Sequence, residues 1–251
     1  MFLGEHETYF YNSIKQKHDV LFSNLVNGID AGCSALYIAS GESVDAVKAE
    51  LGNFGFKSDN PQKIKIVTSH QWYTPDGDFN ARRVIDQYRN LIDEALDNGF
   101  AGLYVSGDVS DTFDYLYKKG MVKAWMAYEN SFGATFKFPM EAICSYRAGQ
   151  IGSNDQILFQ LLKGHKDTIS PKTGKRVLNE QLIRSTIYQQ FQKTLGKTMT
   201  TILFDYLDEP TPRTIENFWD LLESTLREEY FTMGKNIEQN ILKKICERID
   251  V

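Results

Sequence analysis

Cysteine is scarce in this chain: three residues in 251, Cys33, Cys144 and Cys246, odd in number and far apart. That pattern argues against a disulfide framework, offers no pair with metal-knuckle spacing, and fits a reducing compartment. Proline is scarce too, with six residues, and no low-complexity tract or repeat of fixed period is present, which removes a solenoid from consideration. No window approaches the roughly 20 apolar residues of a membrane helix. The start, Met1-Phe2-Leu3-Gly4-Glu5-His6, lacks the basic segment and apolar run of a signal peptide. A cytoplasmic location away from any membrane is therefore expected. Positive charge is also in short supply, since 28 Lys and Arg against 33 Asp and Glu leave a net charge of −5. Nucleic acid is accordingly not expected as a direct partner, and the best basic cluster, Lys163 to Arg176, is short and interrupted by Asp167.

Nucleotide-enzyme motifs are missing as well. A phosphate-cradling loop needs closely spaced glycines followed by Lys and Ser/Thr. The loop Ser40-Gly41-Glu42-Ser43 has a carboxylate and no lysine, and Gly196-Lys197-Thr198 lies in a helical region with no strand before it. The Rossmann glycine pattern, a Gly-x-Ser-x-Gly elbow and a His-Glu-x-x-His pair are absent. His6, His18, His70 and His165 are too scattered to define a metal site by spacing. No cofactor, metal or catalytic residue is assigned on these grounds. Asp76 and Asp78 flank a turn glycine, which turn chemistry explains.

What is present is an alternation of short apolar runs with amphipathic stretches. The centre is Asn98 to Asp108, which reads as a helix end, a turn, a buried strand, and then Gly107-Asp108 where that strand stops. In open α/β sheets ligands collect outside the carboxyl ends of strands, so Asp108 stands where a site would be built; equally, an Asp there caps the next helix. Residues 7–29 carry near-helical periodicity, with Tyr11, Ile14, Leu21 and Leu25 among the apolar positions. Strands are expected at Ser34–Ala39, Ile64–Thr68 and Met140–Tyr146, and helices from Ser43, over Phe79–Asp97, from Met121 and over Asn154–Leu162. This predicts an α/β fold: a three-layer, mostly parallel sheet covered on both faces. Ser170 to Lys175 reads as a connector into a small all-α segment, with helices at 177–195, 197–207, 213–228 and 231–249 and no further strand. The division expected is 1–172 and 177–251.

Several motifs, taken in order, resemble the MEDS domain, the sensory domain of dichloromethane-responsive regulators and related archaeal and bacterial sensors. They are Gly28-Ile29-Asp30-Ala31-Gly32 before Leu36-Tyr37-Ile38; the glycine-rich Leu51–Phe56; Tyr73 with Asp78-Phe79; Gly99 to Asp108; Tyr128-Glu129-Asn130; Ile143-Cys144-Ser145-Tyr146; and Gly164-His165. The resemblance implies a degenerate relative of RecA/KaiC-type ATPases without a working Walker A loop. It places Glu42 after a strand where those ATPases carry an acidic residue, and Asp108 at their metal-orienting carboxylate, where the family more often has Glu. Beyond residue 176 it stops.

If the sheet is parallel, Glu42, Asp108, Glu129 and Tyr146 face one crevice, walled by Trp72, Tyr73, Trp125 and Tyr128. Such an aromatic site with a few polar groups suits a small molecule. Trp125 and Tyr128, three apart on a helix, suit core packing equally. Cys144 reads as a small apolar filler, and His165 as a cation at a helix end. The function expected is a signal-transduction protein sensing a small-molecule ligand, with residues 177–251 as a homodimerisation or output element toward a protein partner. The alternatives are a nucleotide-binding protein or weak NTPase that keeps Glu42 and Asp108 as metal-orienting carboxylates, or a structural scaffold.

Overall fold

A computed structural model describes residues 4–56, 63–133, 135–151, 155–206 and 228–249. Its frame is a seven-stranded sheet of order β3-β2-β4-β5-β1-β6-β7, parallel throughout except for the last pair. The chain enters on β1 (His6–Tyr11), and then α1 (Ile14–Asp30) leads to β2 (Ser34–Ala39), α2 (Val44–Asn53), β3 (Ile64–Thr68) and the single turn α3 (Ser69–Tyr73). Next come α4 (Ala81–Asp97), β4 (Leu103–Asp108), α5 (Ser110–Lys118), α6 (Val122–Phe132) and β5 (Met140–Arg147). The turn α7 (Ala148–Ile151), α8 (Asp155–Gly164), β6 (Asp167–Ile169) and β7 (Arg176–Leu178) complete the sheet. Among the described residues three helices follow: α9 (Asn179–Leu195), α10 (Lys197–Tyr206) and α11 (Glu228–Ile249).

The strands sort their side chains by alternation, as a sheet buried on both faces must. Tyr9, Tyr11, Ala35, Tyr37, Ala39 and Ile143 face α1 and α2, where Leu21, Phe22, Leu25, Val47 and Leu51 close a first core. Phe10, Leu36, Ile38, Val105, Ala142 and Tyr146 face the other way, onto α3–α8. Helix α4 turns Val84, Tyr88, Ile92 and Ala95 to the protein with the i, i+4, i+8, i+11 spacing of one helical face. The same core takes in Leu182, Ile183 and Ile187 of α9 and Ile241, Ile245 and Ile249 of α11, so the C-terminal helices prolong that layer. Ser13, Ser43 and Asn80 cap α1, α2 and α4 by accepting from backbone N–H groups in the first turn.

Two segments differ from the sequence reading. Residues 7–11 are the end of β1 rather than the start of a helix, because Thr8-Tyr9-Phe10-Tyr11 is a β-branched and aromatic run that the Asn12-Ser13 turn separates from α1. Residues 170–175, read as a connector, form the turn of a hairpin whose second arm, β7, pairs antiparallel with β6, so one strand does follow it. Its three residues are too few to give a period. The helix expected at 213–228 lies outside the described residues apart from Glu228, the first residue of α11.

Helix α1 lies close on β4 at Gly28, where an added Cβ would fall 2.2 Å from Tyr104 Cγ. Gly28→Val is therefore expected to lower the unfolding free energy by about 3 kcal/mol, an overpacking cost with no slack at the ring base. Gly52, at the end of α2, has open space around its missing Cβ, and Gly52→Ala should instead stabilise by about 0.5 kcal/mol. Urea denaturation of the two variants checks both signs.

Candidate functional site

Because the connections follow right-handed crossovers, the helix after β1 covers one face and those after β4 and β5 the other. The chain thus parts at the carboxyl ends of β1, β4 and β5, the place where open α/β sheets collect polar groups. Tyr11, Asp108 and Arg147 end those three strands.

A compact ion network fills this edge. Lys17, on the second turn of α1, is fully buried, and its Nζ donates to Asp108 Oδ2 at 2.9 Å, to the Ser40 carbonyl at 3.3 Å and to Glu42 Oε2. Tyr11 donates its hydroxyl to the same Asp108 oxygen at 2.9 Å and lies 3.1 Å from Ser110 Oγ. Asp108 Oδ1 accepts from the Ser110 backbone N–H, the first of α5, although Val109 and not Asp108 stands at the N-cap of that helix. Ser40 Oγ donates to the Asp108 carbonyl and accepts from the Asp111 N–H, tying β2 to β4. Glu42 also meets His18 Nε2 at 2.7 Å and is the least buried of the groups around Lys17. Arg147 and Asp111, both half-exposed, stand 3.8 Å apart at the rim.

Desolvation pulls the Lys17 ammonium down, but Asp108 and Glu42 outweigh it, and its pKa ends above the usual 10.5. Burial likewise pushes Glu42 up, yet hydrogen bonds from His18 and Lys17 and their charges win, and its carboxyl titrates below its usual 4.5. The lysine that the loop after β2 lacks thus comes from α1. It is committed to carboxylates, and the β1–α1 connection is only Asn12 and Ser13.

The seven candidates divide between two places. Glu42 and Asp108 share the edge network. Tyr73, Trp125 and Tyr128 are buried in the core on the other face, ring against ring at centroid distances of 5.0–6.3 Å. Glu129 and Tyr146 join there: the Tyr146 hydroxyl donates to Glu129 Oε1 at 2.9 Å and accepts from Trp125 Nε1 at 3.2 Å. Around Glu129 the fold gathers His6, Cys144 and His165, from β1, β5 and the residue after α8. Burial holds His6 down at about 4 and His165 well below its usual 6.5, and it lifts Glu129 to about 7 and the Cys144 thiol well above 9. His165 is therefore neutral, and it serves the end of α8 by donating from Nδ1 to the Leu161 carbonyl at 2.6 Å rather than as a cation.

Sequence reasoning missed Lys17, Tyr11 and this grouping for one reason. With β1 read as helix, His6 had no partner strand and Lys17 no sheet edge to reach. The signal was the run Thr8–Tyr11 before the capping pair Asn12-Ser13. Two hollows lie elsewhere: one of about 280 Å³ beside Lys65, Glu94 and Asn98, the other of about 750 Å³ between α9 and α10 beside Arg184 and Tyr188. Neither is lined by any of the seven.

These features define an α/β domain with one polar centre at the carboxyl edge of its sheet and a second in the core beneath α6. The chain belongs to the MEDS family, the methanogen/methylotroph, DcmR sensory domain, whose model matches residues 5–166. No curated protein matches it. None of the described helices is long and apolar enough to cross a membrane.

Removing the Lys17 ammonium leaves Asp108 buried without a counter-charge. Lys17→Met should cost about 3–5 kcal/mol in chemical denaturation, and Lys17→Met with Asp108→Asn less than the sum of the two single changes. Since Glu42 titrates below its usual value in the folded state, its contribution is whole above pH 4.5 and is lost as pH falls below it. Denaturation midpoints followed down through pH 4.5 should fall in the parent and fall less steeply in Glu42→Gln.

Proposed function

We propose that this chain is a sensory, signal-transduction protein whose α/β domain takes a small-molecule ligand at the carboxyl edge of the sheet, over the Lys17–Glu42–Asp108 network. The observation that carries the reading is a fully buried ammonium shared by two carboxylates where the strand connections part. A polar ligand engaging Glu42, His18 or the Arg147 guanidinium at the rim changes the partners left to Lys17, and Lys17 fixes α1 against β2 and β4. Such coupling suits a sensor, because a ligand shifts a conformational balance only through contacts that differ between the two states. Membership of a sensory family supports it. We assign residues 177–251 to output and homodimerisation in the cytoplasm; the half-exposed Met199 and Ile202 of α10 favour a protein partner for that segment.

A second reading, a nucleotide-binding or weakly hydrolytic RecA/KaiC-like protein, draws on the placement of Lys17 beside Asp108 after β1. Against it stands the two-residue β1–α1 connection, which supplies too few backbone N–H groups to wrap a polyphosphate.

Thermal unfolding of the full chain, with a panel of small polar metabolites and apolar compounds set against ATP, ADP and GTP with magnesium, separates the two. A ligand at 100 times its Kd adds about 2.7 kcal/mol of stability. A non-nucleotide should raise the transition, and Glu42→Gln or Arg147→Ala should abolish that rise while unfolding stays cooperative. A magnesium-dependent nucleotide shift with every other compound silent would overturn the sensory assignment. A monomeric mass by light scattering at micromolar concentration would remove the dimer.

A further inference from the structure

We propose that His6, Glu129, Cys144 and His165 form a closed four-ligand site for a borderline-soft divalent cation, zinc being the best match, in the core beneath α6. The four donor atoms lie within 4.8 Å of one another. Cys144 Sγ is 3.5 Å from His6 Nε2, and Glu129 Oε2 is 3.7 Å from His6 Nε2 and 3.6 Å from His165 Nε2. A tetrahedron of N, O and S ligands at about 2.0–2.3 Å from zinc has edges of about 3.3–3.8 Å, the range in which these three distances fall.

Proton placement points the same way. A backbone carbonyl only accepts, so His165 Nδ1, held at 2.6 Å from the Leu161 carbonyl, carries the ring proton. His6 Nδ1 is likewise fixed by the carbonyls of Gly133 at 3.0 Å and Gly164 at 3.1 Å. Both neutral rings therefore turn an Nε2 lone pair toward Glu129, the tautomer and orientation that ligating histidines adopt when a carbonyl takes the other nitrogen. His165 Nε2 and Glu129 Oε2 are buried without a hydrogen-bond partner. Tyr146 occupies the other Glu129 oxygen and leaves Oε2 pointing inward. The His165 Nε2 lone pair thus faces Glu129 Oε2 with no donor hydrogen-bonded between them, an arrangement that is costly in a protein interior unless a proton or a cation joins the two.

Charge closes the argument. Metal uptake would release the Cys144 thiol proton to solvent and hold Glu129 ionised, so two anions would balance a divalent ion and leave a neutral buried site. The donors come from β1, α6, β5 and the residue after α8, and the ion would staple the sheet to the helical layer over it. A rival group, Glu5, Glu7 and Asp167, is all carboxylate, and two of its three members are already paired, Glu5 with Lys166 and Glu7 with Arg176.

The test uses cobalt as a spectroscopic stand-in for zinc on the full chain, alongside metal analysis of protein grown with zinc. The expected result is one equivalent of zinc per chain, with cobalt giving intense tetrahedral visible bands and a thiolate-to-cobalt charge-transfer band. Cys144→Ala should lose the charge-transfer band, and Cys246→Ala should keep it. Tyr146→Phe, which removes the group holding Glu129, should weaken metal affinity about 10–100-fold with the bands retained. If cobalt added to the chain and carried through refolding gives no charge-transfer band, or if Cys144→Ala binds and absorbs like the parent, the site is not a metal site.

Discussion

The ammonium of Lys17 is the constraint on which the carboxyl edge depends. A lysine taken fully out of water is tolerated only where opposite charge and hydrogen-bond acceptors surround it, and Asp108, Glu42 and the Ser40 carbonyl supply both. They come from two parts of the sheet: Asp108 from the end of β4, and Ser40 and Glu42 from the turn after β2. One cation on α1 therefore fixes the relative height of two neighbouring strands and the helix across them. Tyr11 extends the arrangement to β1, and Ser110 carries it through its hydroxyl to the Arg147 backbone N–H at the end of β5.

The second polar centre obeys a different rule. At the edge, positive charge stands against negative, and the half-exposed Arg147 and Asp111 carry the network out to water. Beneath α6, two neutral imidazoles, a thiol and a carboxyl meet where the neighbouring side chains are Trp125, Tyr128 and Phe132, and among the described residues Glu129 forms no ion pair with an ammonium or guanidinium. The two centres share β1 and β5 but open onto opposite sides of the sheet, since Tyr11 and His6 differ in position by an odd number of residues.

Most of the fold was legible in the sequence because buried parallel strands are short apolar runs between glycines, as at Ser34–Ala39 and Leu103–Asp108, and α4 shows an undisturbed helical stripe. β1 was not, because its polar members His6, Glu7 and Thr8 dilute the apolar signal and its aromatic end runs in phase with α1. β7 was too short to show a period. Of the edge network, Asp108 was legible from its place at a strand end and Glu42 from the family resemblance. Lys17 was not, since a lysine in an amphipathic helix normally reads as solvated surface. The nearness of His6 to His165, 159 positions apart in the chain, follows from the β1–β5 and β1–β6 pairings, which no local pattern encodes.

The sheet does not stop where the family match stops. Residue 166 precedes β6, and β6 is what pairs with the flank of β1 opposite β5, with β7 outside it. A chain cut at the family boundary would leave the aromatic β1 with a row of unpaired backbone groups, the kind of edge that recruits another strand. The segment after residue 166 is therefore a selvedge as well as a tail: the strand that carries both Tyr11 and His6 is bound off by the same stretch of chain that runs on into α9.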